Sequence, residues 1–242
     1  MSYFESRLKV NFDNFKEVER KVEFCNILGI KNLILEPLND LRKIKSDILQ
    51  KVNNTIKINI FYRYNLRIKD SKEFKKRIKD FNNFPYILSI ESENKEVQIQ
   101  AAKDSRVDVL SFSEQHLIKT ITPGVISLVK QNNSFIEFSL APIMTESKGQ
   151  QSKIFRNLYR FTKLILNLRP NYIISGNFSD LYHLRNPRNL LSICHTLLNM
   201  PLSEAKKGFS NNVRLLLDRV NRRIDRDVIM EGVRMIKGGE LR

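Results

Sequence analysis

Asn32-Leu33-Ile34-Leu35 and Tyr172-Ile173-Ile174 each place apolar residues side by side, so an extended chain through them is apolar on both faces. A strand of that kind must be covered on both sides, the condition inside a parallel sheet flanked by helices. Five further β-rich runs, at 7–10, 56–62, 86–90, 107–112 and 135–140, bring the candidate strands to seven. Between them apolar residues recur three or four apart, as at Phe15, Val18, Val22 and Cys25 or at Phe74, Ile78 and Phe81. Strand alternating with helix implies parallel strands joined by helical crossovers, an α/β fold. Seven such units suit a TIM-like (β/α) barrel, although a doubly wound open sheet would read almost the same. No glycine-rich phosphate loop follows any strand, so the main sign of a dinucleotide or P-loop sheet is missing. From 187 to about 236 the alternation gives way to consecutive helices, with Pro187 in a first turn and Ser203 an N-cap candidate. No Gly/Ser-rich or Pro-rich linker interrupts the chain, so 1–242 reads as one domain with a helical C-terminal part.

The formal charge is +16, from 42 Lys and Arg against 26 Asp and Glu, an excess that attracts polyanions. An anionic membrane lacks support, because no apolar run approaches the length of a spanning helix. The first residues lack the layout of a signal peptide, and a cytoplasmic location is expected. Cys25 and Cys194 lie far apart in helix-like apolar patterns, as buried reduced thiols would.

Nucleic acid is therefore the expected partner, and the charge is unevenly spread. Residues 1–150 hold 25 basic and 19 acidic side chains, residues 151–242 hold 17 and 7. No acidic residue occurs from Ser147 to Ser179, while Lys148, Lys153, Arg156, Arg160, Lys163 and Arg169 all do. On a helix from about 152 to 168, Ile154, Phe155, Leu158, Phe161, Ile165 and Leu168 share one face and the cations the opposite one. A solvated outer face is the ordinary alternative, but such a face mixes signs, and here nothing pairs. The arginines from 214 to 226 are interleaved with Asp218, Asp225 and Asp227, and Lys206-Lys207 lies near a predicted helix start that would favour phosphate. Phe61-Tyr62-Arg63-Tyr64-Asn65-Leu66-Arg67 suggests a second locus, with Arg63, Tyr64 and Arg67 at or beyond a strand's carboxyl end, where barrels carry ligands and an aromatic ring can stack on a base.

Catalytic chemistry is poorly provided for. Of three histidines, His116, His183 and His195, no two stand at ligand spacing, and His195 beside Cys194 reads as a packed residue. Glu36, Glu91, Glu93 and Asp180 fall near predicted strand ends and would be the ligands if the chain were a metal-dependent phosphoesterase. No nucleophile elbow appears.

A dispersed set of residues carries a resemblance. Val107-Asp108-Val109-Leu110-Ser111-Phe112, Ser139-Leu140-Ala141-Pro142-Ile143-Met144, Ile174-Ser175-Gly176-Asn177, Leu184-Arg185-Asn186-Pro187 and Leu202-Ser203-Glu204-Ala205-Lys206-Lys207 with Ser210, Asn211, Asn212 and Arg214 together resemble ribonuclease P protein component 3, an archaeal and eukaryotic family. The resemblance implies a barrel related to the polymerase and histidinol phosphatase (PHP) fold without its metal-binding histidines. It implies a subunit of the ribonucleoprotein that removes 5′ leaders from precursor tRNA, the RNA performing the cleavage with Mg2+ and this chain holding no cofactor or catalytic residue. The implied partners are ribonuclease P RNA, precursor tRNA, ribonuclease P protein component 2 in a heterotetramer, and the other protein subunits. Arg185 matches the basic position before the turn at Pro187 and Ser175 the strand-end serine, while Lys207 and Arg214 fall in the matching helical stretch. The expected RNA contacts are then Arg63, Arg106, His116, Lys119, Lys148, Arg156, Arg160, Arg185, Lys207 and Arg214.

Overall fold

The computed structural model describes residues 3–38, 50–52, 58–225, 228–230 and 233–234. Seven parallel strands follow one another in a single curled sheet in chain order: β1 (Phe4–Val10), β2 (Asn32–Pro37), β3 (Asn59–Arg67), β4 (Ile87–Glu91), β5 (Val109–Phe112), β6 (Phe135–Ser139) and β7 (Asn171–Ser175). The crossovers carry α1 (Phe15–Ile27), α2 (Ser71–Arg77), α3 (Lys95–Lys103), α4 (Gln115–Ile118), α5 (Pro123–Gln131) and α6 (Lys148–Leu168). This is the barrel-like arrangement rather than a doubly wound sheet, whose strand order would reverse at a switch point. The two edge strands meet without a backbone ladder: Ser6 Oγ donates to the Ile174 carbonyl at 3.1 Å and Gly176 N–H donates to Glu5 Oε1 at 2.9 Å. Gly176 is required there, since a Cβ would lie 2.5 Å from Glu5 Oε2.

Strand β3 extends five residues beyond the expected end at 62, and its expected start at Ile56 lies outside the described residues. Helix α6 starts at Lys148, four residues before the expected 152, because Ser147 caps it, accepting from Gln150 N–H at 3.4 Å. It ends at Arg169, whose left-handed backbone (φ 50°) returns an N–H to the Ile165 carbonyl.

After β7 come α7 (Pro187–Ser192), a π-helical turn (Ile193–Leu197), α8 (Leu202–Phe209) and α9 (Asn211–Ile224). Pro187 takes the first-turn position. Ser203 is not the cap: Pro201 holds that position and α8 begins at Leu202, two residues earlier than a cap at Ser203 would place it, and Lys206 and Lys207 sit in its last turn rather than near its start. The segment is also not helical throughout, because β8 (Val228–Met230) and β9 (Val233–Arg234) pair antiparallel. His195 is exposed on the π-helical turn, its Nδ1 at 3.0 Å from the Met200 carbonyl, and so is not the packed residue expected. Cys25 and Cys194 are buried free thiols.

Helix α9 decides how the barrel is closed. Val213, Leu216 and Val220 pack on Phe4, Ile34, Ile87, Val109, Phe135 and Ile173, each among the first three residues of its strand, so α9 plugs the amino-terminal mouth with an apolar stopper. Each such side chain withdrawn from water stabilises by about 1.5–3 kcal/mol. Above that layer the interior turns polar, and the helices cover the outer face of the sheet with the main apolar core.

Candidate nucleic-acid interface and the ionic barrel core

The polar interior is an ion-paired network built by residues two apart on the strands. On β3 these are Arg63 and Asn65, on β4 Ser89 and Glu91, on β6 Glu137 and Ser139, and on β2 Glu36. A register shift between Glu5 and Leu8 lets Arg7 join them although Phe4 also faces inward. Arg63 grips Glu137 with two parallel bonds, Nη1 to Oε1 at 2.8 Å and Nη2 to Oε2 at 2.7 Å, and also reaches Ser89 Oγ at 2.8 Å. Arg7 donates to Glu36 Oε1 at 2.8 Å, Glu91 Oε1 at 2.6 Å and Ser111 Oγ at 3.0 Å. Both guanidinium Nε atoms also lie in ionic contact with Glu36 Oε2, at 2.7 Å from Arg7 and 3.1 Å from Arg63. Glu91 accepts further bonds from Ser113 Oγ and from Asn65 Nδ2.

Burial alone would raise the carboxyls of Glu91 and Glu137, but the guanidiniums outweigh it: Arg7, with bonds from Ser113 and Asn65, holds Glu91 well below the usual carboxylate range, and Arg63 with Arg7 lowers Glu137. Of the carboxylates that a metal-dependent phosphoesterase would need, Glu36 and Glu91 are thus committed to guanidiniums, while Glu93 lies against His116. Asp180 does not converge with them but caps a turn, accepting from Tyr182 N–H at 3.0 Å. Among the described residues no group of three or more His, Cys, Asp or Glu is arranged to hold a metal ion.

Arg63 therefore has to be removed from the expected RNA contacts. It lies mid-strand, 1% exposed, with its charge spent on Glu137 and Glu36. Tyr64 is buried too, packing on Phe81 and Phe84, and is no stacking platform. Arg67 does reach the carboxyl mouth of the barrel, where it pairs with Glu91 at 3.3 Å and Glu114 at 2.7 Å. There it lines a cavity of about 480 Å3 with Glu93, Asn94 and His116, whose Nε2 is 3.1 Å from Glu93.

The other expected contacts fall into three groups. Arg106 pairs with Asp104 at 2.6 Å, Lys207 pairs with Glu204 at 2.6 Å, and Arg185 turns onto the Tyr182 and Leu184 carbonyls of its own loop. Arg214 is exposed on α9, apart from the rest. Lys148, Arg156 and Arg160, with Lys153 and Lys163, are exposed along α6 and make no ion pair or side-chain hydrogen bond with a described residue. Ile154, Leu158, Phe161 and Ile165 are buried on the opposite face. Lys119, exposed at the end of α4, adds to this group because α4 packs against α6. Two of the interleaved arginines of α9 are structural instead: Arg219 and Arg223 converge on Asp108, which is fully buried, at 3.2 and 2.9 Å. Arg7, the centre of the interior network, carries no signal in local sequence beyond its place in a strand.

Residues 7–225 match the family described as RNase P subunit p30. The chain belongs to this ribonuclease P subunit family. A curated relative, ribonuclease P protein component 3 of Methanococcus maripaludis (strain C5), is 23% identical over 164 residues, spanning 65% of this chain and 71% of the relative. A chain in the cryo-EM structure of archaeal ribonuclease P with mature tRNA superposes with a TM-score of 0.78 at 16% identity, covering 98% of this chain and 99% of that one. The fold extends further, since the crystal structure of an uncharacterized protein superposes with a TM-score of 0.61 at 9% identity over 96% of this chain and 77% of that one. For a ribonuclease P subunit, an interior filled with ion pairs and an outside helix carrying unpaired cations divide the molecule into a rigid body and a charged surface.

Proposed function

We propose that this chain serves ribonuclease P, the ribonucleoprotein that trims 5′ leaders from precursor tRNA, as a noncatalytic subunit whose α6 face neutralises RNA phosphates and so steadies the catalytic RNA. The observation that carries this reading is the row of exposed, unpaired cations at Lys148, Lys153, Arg156, Arg160 and Lys163 on an acid-free helix. Phosphate contacts supply most of the affinity of such surfaces and fix orientation without reading sequence. Lys119 extends the proposed contact surface and Arg214 offers a separate exposed cation on α9, while Arg106, His116, Arg185 and Lys207 hold intramolecular partners that RNA would have to share.

On the same reading the partners are ribonuclease P RNA, precursor tRNA, the other protein subunits, and ribonuclease P protein component 2 in a heterotetramer. Any Mg2+ requirement belongs to the RNA rather than to this chain. No helix among the described residues is long and apolar enough to cross a membrane, and we place the work of the assembly in the cytoplasm. The stopper formed by α9 on the barrel supports treating 1–242 as one domain. The test is reconstitution with ribonuclease P RNA and the remaining subunits. Arg156→Ala with Arg160→Ala should weaken assembly or lower precursor tRNA cleavage at limiting subunit concentration; parental affinity and parental cleavage together would overturn the proposal.

A further inference from the structure

The basic face of α6 contains one residue that electrostatics does not explain. Tyr159 follows Arg156 by three positions and precedes Lys163 by four, so its ring lies where the row of cations borders the core-packed Phe155 and Leu166. At about 100° per residue, Lys148, Tyr159, Lys163, Arg156, Arg160 and Lys153 fall within an arc of roughly 140°. Tyr159 is 39% exposed, its ring stacks on no other described ring, and its hydroxyl makes no hydrogen bond with a described residue. A ring with one open face beside cations a helical turn, or about 5.4 Å, before and after it has the form of a base-stacking platform with phosphate ligands at either end.

Resting on the function proposed above, we infer that Tyr159 stacks on an unpaired nucleobase while Arg156, Arg160 and Lys163 hold the flanking phosphates. The RNA element recognised by this face is thus a single-stranded or bulged segment rather than an uninterrupted duplex. A duplex offers α6 phosphates and sugars but no open base face, and would leave the ring without a partner. Tyr182 is more exposed, at 86%, but it stands on a short turn capped by the Asp180 carboxylate, with Arg185 bound to the Tyr182 carbonyl and no row of cations on a helix face beside it.

The sequence contains no tryptophan, which makes the test direct. In the full-length Tyr159→Trp chain the single indole reports stacking by quenching. Titration with a short oligoadenylate should quench it, whereas a GC duplex RNA of equal length should bind through phosphates with little quenching. Tyr159→Ala should weaken oligoadenylate binding about tenfold and duplex binding less than about twofold. Tyr159→Phe should retain the parental affinity, because stacking needs the ring and not the hydroxyl. Unquenched emission with unchanged Tyr159→Ala affinity, alongside lost affinity in Arg156→Ala/Arg160→Ala, would overturn the platform and leave the basic face standing. Unchanged affinity in the arginine variant as well would overturn both.

Discussion

Arg63 and Glu137 face each other inside the barrel as a two-point pair, both at most 1% exposed, with nitrogen-to-oxygen distances of 2.7 and 2.8 Å. Their partners are buried as well, since Arg7 and Glu36 complete the same network. Removing one member strands a buried charge, whereas removing both leaves an ordinary cavity to be filled. Arg63→Ala should therefore cost about 3–5 kcal/mol in urea unfolding, and Arg63→Met with Glu137→Leu markedly less than that single change. Among molecules that remain folded, neither variant should alter RNA affinity, which would separate this arginine from the α6 cations.

Glu5 is the buried carboxyl of the barrel that the guanidiniums do not reach. Burial pushes it up to about 7, reinforced by Glu137 and opposed by backbone N–H bonds from Gly176, Arg7 and Asn177. A folded value above the ordinary 4.5 means that the folded chain holds this proton more tightly than the unfolded chain. Its contribution to stability is fully present below 4.5 and is lost as pH rises toward about 7. Glu91 and Glu137, whose values are lowered, contribute above the ordinary carboxylate range and lose that contribution as pH falls. The thermal midpoint should consequently decline between about pH 5 and pH 8, and Glu5→Gln should abolish most of that decline while keeping the acid limb. An unchanged decline in Glu5→Gln, followed by calorimetry across pH, would show that another group is responsible.

The strand-helix alternation is legible in the sequence because each apolar period reports a face buried against a neighbour, and that pattern is local. The ionic core is half legible. Polar residues two apart, at Arg63 and Asn65, Ser89 and Glu91, Ser111 and Ser113, and Glu137 and Ser139, do mark inward faces. Which carboxylate meets which guanidinium depends on contacts across 74 and 84 residues, and that information exists only once the sheet curls. Arg63 reads as a surface residue if β3 stops at Tyr62, and as a core residue when the strand runs on to Arg67. The α6 face is legible from about residue 152 onward, since helical spacing alone sorts its cations from its apolar side chains, whereas the first turn with Lys148 depends on the cap at Ser147. Tyr159 is visible there too, but its exposure depends on α6 lying outermost.

Arg223 joins the C-terminal helix to the barrel. It meets Asp108 with Nη1 at 2.9 Å and Nη2 at 3.1 Å, and donates to the Phe84 and Tyr86 carbonyls at 3.0 and 2.9 Å. Burial raises the Asp108 carboxyl, and Arg223, ahead of Arg219, works against that rise. Arg223→Ala should destabilise the chain by roughly 3 kcal/mol, because Asp108 and the Phe84, Tyr86 and Arg106 carbonyls lose a partner together. Arg214→Ala, on an exposed face of the same helix, should change stability by no more than about 0.5 kcal/mol. Hydrogen exchange would place the loss: opening should concentrate in α9 and at the starts of β4 and β5, and uniform protection across the barrel would contradict the clamp.

The α6 cations and the paired ones predict different salt dependences. Each phosphate neutralised by the protein lowers the slope of log affinity against log salt by about 0.7–0.9. Arg156→Ala with Arg160→Ala should therefore flatten the slope for ribonuclease P RNA by about 1.5. Lys207 carries the same formal charge, but Glu204 balances it at 2.6 Å, and losing it removes less net potential from the surface. Lys207→Ala should shift the slope by less than about half a unit. Filter binding across a salt series reads both. Equal slope changes per cation removed would mean that RNA samples the whole basic surface, and a flattened slope confined to the α6 variants would assign the phosphates to that helix.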